Sequence, residues 1–483
     1  MPLNSQINFA NMKITQFFLI FFCLSILLAL TPIETNAQLG NSGQIFIVNN
    51  ASDAVDSNEG DGICADANGL CTLRAAIQEA NSGAATDVIL FSLPDPSVIN
   101  LTLGELKTTA SVAIIGPGAR KLTVQRSFNA NTPEFRVFNL FRNGIYTVNI
   151  ARISIKNGKA SGGGIYVDYA TTARLTEVSI SNNSGGLGGA ISNTGTTFLI
   201  RSLIDSNVST HQGGGLINGN FDSTATIIDS TITNNSSASG GGIYNNGKML
   251  LVNNTISHNS ATTDGSNIAN SLDSASVVSV LNTIVGNNNS STAASLAGPF
   301  NSLGNNFISD ARESTGFTNG VNNDQVGNNN SIDPLLGNLT DNGGQTNTRA
   351  LQIGSPAVNT GNNCVSTASC MFPPNNIPFI AYDQRNGYRR LSGTAVDIGA
   401  FEAGASAASG ELLSYGGGLF GQPGRALGAI AVLTNAATLE KFYSYVGSFG
   451  NFNFKNLRRG EFYILQIKSK RAPGFSLRVI SLE

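Results

Sequence analysis

The stretch TITNNSSASGGGIYNNG, residues 231–247, decides how this chain is read. Three glycines ahead of an apolar pair admit two interpretations, a phosphate cradle or one turn of a repeating structure. A phosphate loop needs GxxxxGK[ST], and a dinucleotide site needs GxGxxG opening a helix. No lysine follows these glycines and no helical periodicity starts there, so the cradle fails.

The repeat succeeds. The glycine cluster recurs as GGGIY at 162, GGAIS at 188, GGGLI at 213 and GGGIY at 240, with a weaker GSNIA at 265. The apolar residue that follows falls at Ile165, Ile191, Leu216, Ile243 and Ile268, spaced by 26, 25, 27 and 25 residues. A second motif keeps step, with isoleucines at Ile155, Ile180, Ile204, Ile232, Ile256 and Ile284. Three places after these, from the second copy on, stand Asn183, Asn207, Asn235, Asn259 and Asn287.

Short alternating runs repeated at such a period describe a coil of strands, each turn pairing in parallel with the next. Isoleucine stacks inward, so Ile232 faces in while Thr231 and Thr233 face out. Asparagine tolerates the left-handed backbone of a sharp bend, and its amide can bond the equivalent residue one coil away. Glycine serves the other corner. The fold class is therefore all-β, a right-handed parallel β-helix of about 25 residues per coil, here spanning 85–335. Earlier coils are expected in the strand-like runs between 88 and 141, and a looser one at NSLGNNFISD, 301–310.

Composition fits an exported protein. Only 12% of residues are charged and the net charge is −2, with no basic block to attract nucleic acid. The run FFLIFFCLSILLAL, 17–30, follows Lys13 and precedes Ala37, which reads as a signal peptide over 1–37, with Met1 or Met12 as the start. A retained anchor is the alternative for that segment; no later stretch is long and apolar enough to span a bilayer. Cys64 with Cys71, and Cys364 with Cys370, form two close pairs, read as local disulfides rather than a four-cysteine zinc site.

The open ends of a β-helix need covers. CTLRAAIQEAN, 71–81, places Leu73, Ala76, Ile77 and Ala80 at helical spacing behind Thr72 as N-cap, a short capping helix within 38–84. GDGICADANGLCTLRAAIQEAN resembles the CSLREC-type N-terminal domain of secreted bacterial β-helix proteins, with Ala75 where that family has Glu. DPLLGNLTDNGGQTNTRALQIGSPAVNTG (333–361), DQRNGYRR (383–390) and DIGAFE (397–402) resemble the choice-of-anchor Q domain, placed at 336–402 as the end of the β-helix. That resemblance implies a β-helix joined to a surface-anchoring or sorting module, and no known reaction. AGASAASG marks a linker, taken as 403–411. Beyond it, alternating runs over 412–483 predict a small β-sandwich, and SFGNFNFKNLRRGEFYILQI resembles carboxypeptidase-regulatory-like modules.

Candidate chemistry is sparse. β-Helix enzymes that cleave polysaccharides need carboxylates gathered across adjacent coils. The acids of the repeat fall in different registers, and only Asp205 and Asp229 near Arg201 remain as catalytic candidates. Asp383, Arg385, Arg389, Arg390, Asp397 and Glu402 read as a structural charge cluster closing the last coil, with a carboxylate and arginine binding site as the alternative. DSNEGDG (56–62) offers Asp56, Asn58 and Asp61 as a calcium loop, or an exposed turn leading into Cys64; calcium is the one cofactor left open. His258 reads as a stacked bend residue and His211 as a solvated loop residue. The expectation is an exported, cell-surface-associated protein that binds or displays, toward a glycan, extracellular matrix or cell-surface ligand, without catalysis. A lyase or hydrolase of acidic polysaccharide is the alternative.

Overall fold

The computed structural model describes residues 43–141, 144–286, 293–328, 330–367, 369–372, 375–376, 380–388, 390–405, 412–418, 429–447, 451–468 and 477–481. The expected leader, Asn287, Arg389 and most of the expected linker lie outside them.

The chain winds into a parallel β-solenoid of about nine turns. Three long sheets, of ten, nine and ten strands, form its walls, and a short four-stranded sheet is inserted beside them. The opening stretch shows how a coil is made. Strand Thr224–Ile228 ends at Asp229 in the left-handed region, strand Thr231–Thr233 follows, and Asn234 makes a second left-handed bend. Ser236–Ser239 then runs to Gly240, whose φ is 63°, and Ile243–Asn245 forms the next wall. Ile232 pairs in register with Ile204 below and Ile256 above, all fully buried. Each such isoleucine contributes about 1.5–3 kcal/mol by burial. In the following coil the register slips by one: Ile284 pairs with Thr255, and Val285 takes the inward place beside Ile256. Ile284 instead faces out, against Phe307, Ala357 and Ile398.

Asn183, Asn207, Asn235 and Asn259 form a buried ladder. The side-chain oxygen of each later member accepts the backbone N–H and the amide N–H of the one before, at 2.9–3.0 Å. The amides of Asn183, Asn207 and Asn235 each also donate to two backbone carbonyls, for Asn235 those of Ile204 and Thr233, while Asn259 donates to the Ile232 carbonyl and to Asn267 Oδ1. A second ladder, Asn193, Asn218, Asn245 and Asn270, links the far corner at 2.7–2.8 Å.

At the N-terminal end, the helix Leu73–Ser82 packs Leu73, Ala76, Ile77 and Ala80 into the solenoid core, and Thr72 Oγ1 accepts the Ala75 N–H. Arg74 ties it down, pairing with Asp53 at 2.6 Å and donating to the carbonyls of Gly104 and Glu105. Disulfides join Cys64 to Cys71 and Cys364 to Cys370.

The described residues of 334–402 fold back as a strap along the corner between the first and third sheets. Asn305 donates to the Thr360 carbonyl, Asn282 exchanges bonds with Asn362, Ala400 N–H reaches Thr255 Oγ1, and Arg120 pairs with Asp341 at the other extremity. Thr231 and Thr233 do point outward but are fully buried beneath it, bonded to Gln384 and Arg349. The disulfide loop supplies Val365 and Cys370, with Ile380 and Val396, to cover Ile228, Leu250, Val252 and Leu281 on the outer face of the first sheet.

The C-terminal residues form a two-stranded and a four-stranded antiparallel sheet around a shared apolar core that includes Leu433, Phe452, Phe454, Tyr463 and Leu465. This module is docked: Ala436, Phe462, Ile464 and Val479 pack on Val88, Leu90, Ala113, Ile115 and Ala151 of the first sheet.

Candidate functional site

Of the residues singled out for chemistry, Arg201, Asp229 and Arg390 lie in a buried seam. Three places before the inward residue of each third-sheet strand stand Arg152, Glu177, Arg201, Asp229, Asn253, Asn282 and Asn305, all left-handed with φ between 48° and 56°. The first four alternate in charge and are 0–4% exposed. Arg152 pairs with Glu177 at 2.8 Å, and Arg201 lies 3.5 Å from the other Glu177 oxygen. Burial opposes ionisation of Glu177, yet Arg152 and Arg201 outweigh it and hold the carboxyl below its ordinary range.

The strap and the C-terminal module complete the seam. Asn386 donates to Glu177 at 2.6 Å, and Arg152 also pairs with Glu461 at 2.6 Å and donates to the Gly460 carbonyl. Arg390 donates to Asp229 and to the Gly399 carbonyl, while Asn253 donates to the same Asp229 oxygen at 3.1 Å. Burial pushes Asp229 up to about 6, against the pull of Arg390 and Arg201. Three segments distant in sequence are thus held by one column of charge. Its alternating sign was visible in the sequence at the position three before each motif isoleucine; a search for a column of acids alone passed over it.

Arg201 and Asp229 therefore sit inside the seam, away from solvent. Asp205 lies elsewhere, half-buried on Leu203–Asp205, where it accepts from Asn234 at 2.8 Å and faces Arg349. Asp205 and Asp229 hydrogen-bond to different groups. In the strap, Asp383 binds Arg385 through both oxygens, and the Arg385 guanidinium lies 3.9 Å from the ring centres of both Tyr388 and Phe401. Asp397 accepts the N–H groups of Asn359 and Ala403, each at 2.6 Å. Glu402 accepts those of Asp397 and Ser392, and burial raises it to about 7. These groups hold the strap's own backbone.

In the loop considered for calcium, Asp56 accepts the N–H groups of Asn58 and Ala65, and Asp61 accepts from Ile63 and from the Asn58 amide. Glu79 binds Gly60 and Gly62 from the capping helix. The carboxylates thus serve the turn itself. Among the described residues no group of three or more His, Cys, Asp or Glu side chains is gathered for a metal.

An open groove lies on the short fourth sheet, formed by Ser184–Leu187, Val208–Gln212, Ser236–Ser239 and Ser260–Asp264. Its cavity of ≈ 660 Å³ is lined by Ser161, Gly186, Leu187, His211, Gln212, Ala238 and Ser239. That volume is within the range of small-molecule sites. Leu187 is exposed, and its N–H is bonded to Ser161 Oγ. His211 belongs to a strand rather than a loop, and Nδ1 lies 2.9 Å from Thr210 Oγ1 and 3.3 Å from the Gly186 carbonyl. Nearby Tyr244 has its hydroxyl pKa raised by burial and by Asp264. The groove sets the apolar Leu187 and Ala238 beside the hydroxyl, amide and imidazole groups of Ser161, Ser239, Gln212 and His211, supplied by successive coils at about 4.8 Å. His258, by contrast, occupies the left-handed bend used by Asn157, Asn182 and Asn234 in other coils, and burial lowers it to about 4.

No family model, curated protein or solved structure matches the chain in comparisons with known proteins.

Proposed function

We propose that this chain is an exported, cell-surface-associated β-solenoid protein that binds or displays without catalysis, and that its groove receives a glycan. One observation carries the reading: the groove crosses four successive coils and offers Leu187 and Ala238 beside Ser161, His211, Gln212 and Ser239. A sugar ring has an apolar face and an equatorial rim of hydroxyls, and a site mixing small apolar groups with side-chain donors and acceptors complements both. The repeat of the coils suits a ligand that is itself a repeating chain.

Two further features support the assignment. Two disulfides suit an oxidising compartment, and no helix among the described residues is long and apolar enough to cross a membrane. The resemblances of 333–402 to the choice-of-anchor Q domain and of the N-terminal cap to the CSLREC type agree with display at a surface. The binding reading is preferred to a polysaccharide lyase or hydrolase because Arg201 and Asp229 are engaged in the seam and Asp205 is bonded to Asn234.

A glycan array probed with the purified mature chain tests the proposal. Binding to a defined glycan set, lost in Leu187→Asp and His211→Ala variants that keep the wild-type unfolding midpoint, is the expected result. Binding unchanged in both variants, or no glycan bound, removes the groove from the account.

A further inference from the structure

The C-terminal module carries charge and aromatic groups that neither the seam nor the groove uses. In the four-stranded sheet, Lys441–Tyr445 is an edge strand paired to Ile430–Asn435, which pairs in turn with Phe462–Lys468. Alternation puts Lys441, Tyr443 and Tyr445 on one face. Cross-strand pairing sets Ile430 beside Tyr445 and Lys468 beyond it, with Val432 and Gln466 beside Tyr443. This is the face whose other end, at Phe462, Ile464 and Val479, is buried on the solenoid. The free end exposes Tyr443 at 67% and Tyr445 at 85%, with Ile430 at 37%. Two residues of strand separate the rings by about 7 Å along the chain direction. Adjacent large aromatics left in water on a flat sheet mark a contact surface more than scattered apolar residues do.

Charge decides the partner. Residues 412–483 contain nine Lys and Arg against three Glu and no Asp, whereas the rest of the chain has nineteen basic and twenty-seven acidic residues. A protein that is acidic elsewhere thus concentrates positive charge on the module bearing the tyrosines. Lys441 and Lys468 are exposed beside them. A lysine on the edge strand opposes pairing with a second copy. The rings lie along strands rather than protruding from a loop or an amphipathic helix, which disfavours insertion into a bilayer. Tyrosine faces stack on sugar rings, and ammonium groups pair with carboxylates or sulfates.

We infer that the Tyr443–Tyr445 strip, with Lys441 and Lys468, is a second binding surface, independent of the groove, for an anionic polysaccharide. The full mature chain is run by affinity electrophoresis through gels containing polygalacturonate or uncharged dextran, and by co-sedimentation with phosphatidylserine vesicles. Retardation by polygalacturonate alone is expected, weakened by raised salt. The Tyr443→Ala/Tyr445→Ala double variant and the Lys441→Gln/Lys468→Gln double variant should each bind at least about tenfold more weakly. Leu187→Asp in the groove should leave this retardation unchanged, and circular dichroism should show all variants folded. Equal retardation by dextran, tighter association with vesicles, or wild-type retardation of both folded double variants overturns the inference.

Discussion

Arg390 donates a hydrogen bond to Asp229 across 161 residues of sequence, and both side chains are at most 1% exposed. This pair joins the strap to the solenoid corner.

Removing one member should therefore be severe. Arg390→Met leaves Asp229 buried with its main cation gone, a loss of about 3–5 kcal/mol for a broken buried pair. Arg390→Met combined with Asp229→Asn should recover a substantial part of that loss. Urea unfolding of the single and double variants, arranged as a double-mutant cycle, measures the coupling.

The strap also sets a pH dependence. Glu402 is raised to about 7 and Asp87, mainly through burial, to about 6, both above their values in an unfolded chain. In that interval the folded state holds more protons than the unfolded state, so stability falls as pH rises through the folded values. The melting temperature should therefore increase from pH 8 to about 5. Glu177, held low by Arg152 and Arg201, acts oppositely and should erode stability below about pH 4. Thermal unfolding across this range checks both limbs, and Glu402→Gln should flatten the rise between pH 8 and 5.

The asparagine ladder predicts a cost far above ordinary polar surface loss. Asn235→Ala removes the side-chain acceptor of the Asn207 N–H and one bond each to the carbonyls of Ile204 and Thr233 inside the solenoid. With about 1–3 kcal/mol for an unsatisfied buried group, a loss of about 3 kcal/mol is expected. Asn246→Ala, on a half-buried turn, should cost under about 1 kcal/mol. Denaturation midpoints at constant m separate the two.

At the other corner, Gly240 has φ of 63°, and a β-carbon there would meet the Ile243 carbonyl oxygen at 2.3 Å. Gly69 is also left-handed, at 76°, but has open space around it. Gly240→Ala should destabilise by more than the about 1–2 kcal/mol that left-handed backbone alone costs, and Gly69→Ala by no more than that. Comparing their unfolding midpoints isolates backbone crowding from backbone strain.

These contrasts mirror what was legible in the sequence. The coil was readable because isoleucine, asparagine and glycine recur in one register, and each does one local job: Ile232 fills, Asn235 bonds the next coil, Gly240 turns. The second ladder beginning at Asn193 follows the same period and was equally readable, two residues after the apolar member of each glycine motif. The strap was not, because its fold-back is set by single, unrepeated contacts such as Arg390 with Asp229 and Gln384 with Thr231, and nothing periodic announces them. The same reason hid the burial of Thr231 and Thr233, whose outward direction was plain while their cover was not. The slip at Ile284 was concealed by a valine next to it that fits the core as well. For the groove, the Gly-rich and Ser-rich run after each asparagine was read only as a corner; that these runs pair into a sheet of their own depends on the register of neighbouring coils.

The most direct test of a binding solenoid without catalysis is one incubation with two readouts. The purified chain is mixed with pectin, polygalacturonate, alginate and neutral glucans, and both retained protein and newly formed reducing ends or unsaturated products are measured. The account predicts retention on at least one polymer with no product above the protein-free control. Release of products from any of these polymers, in proportion to added protein, would contradict it.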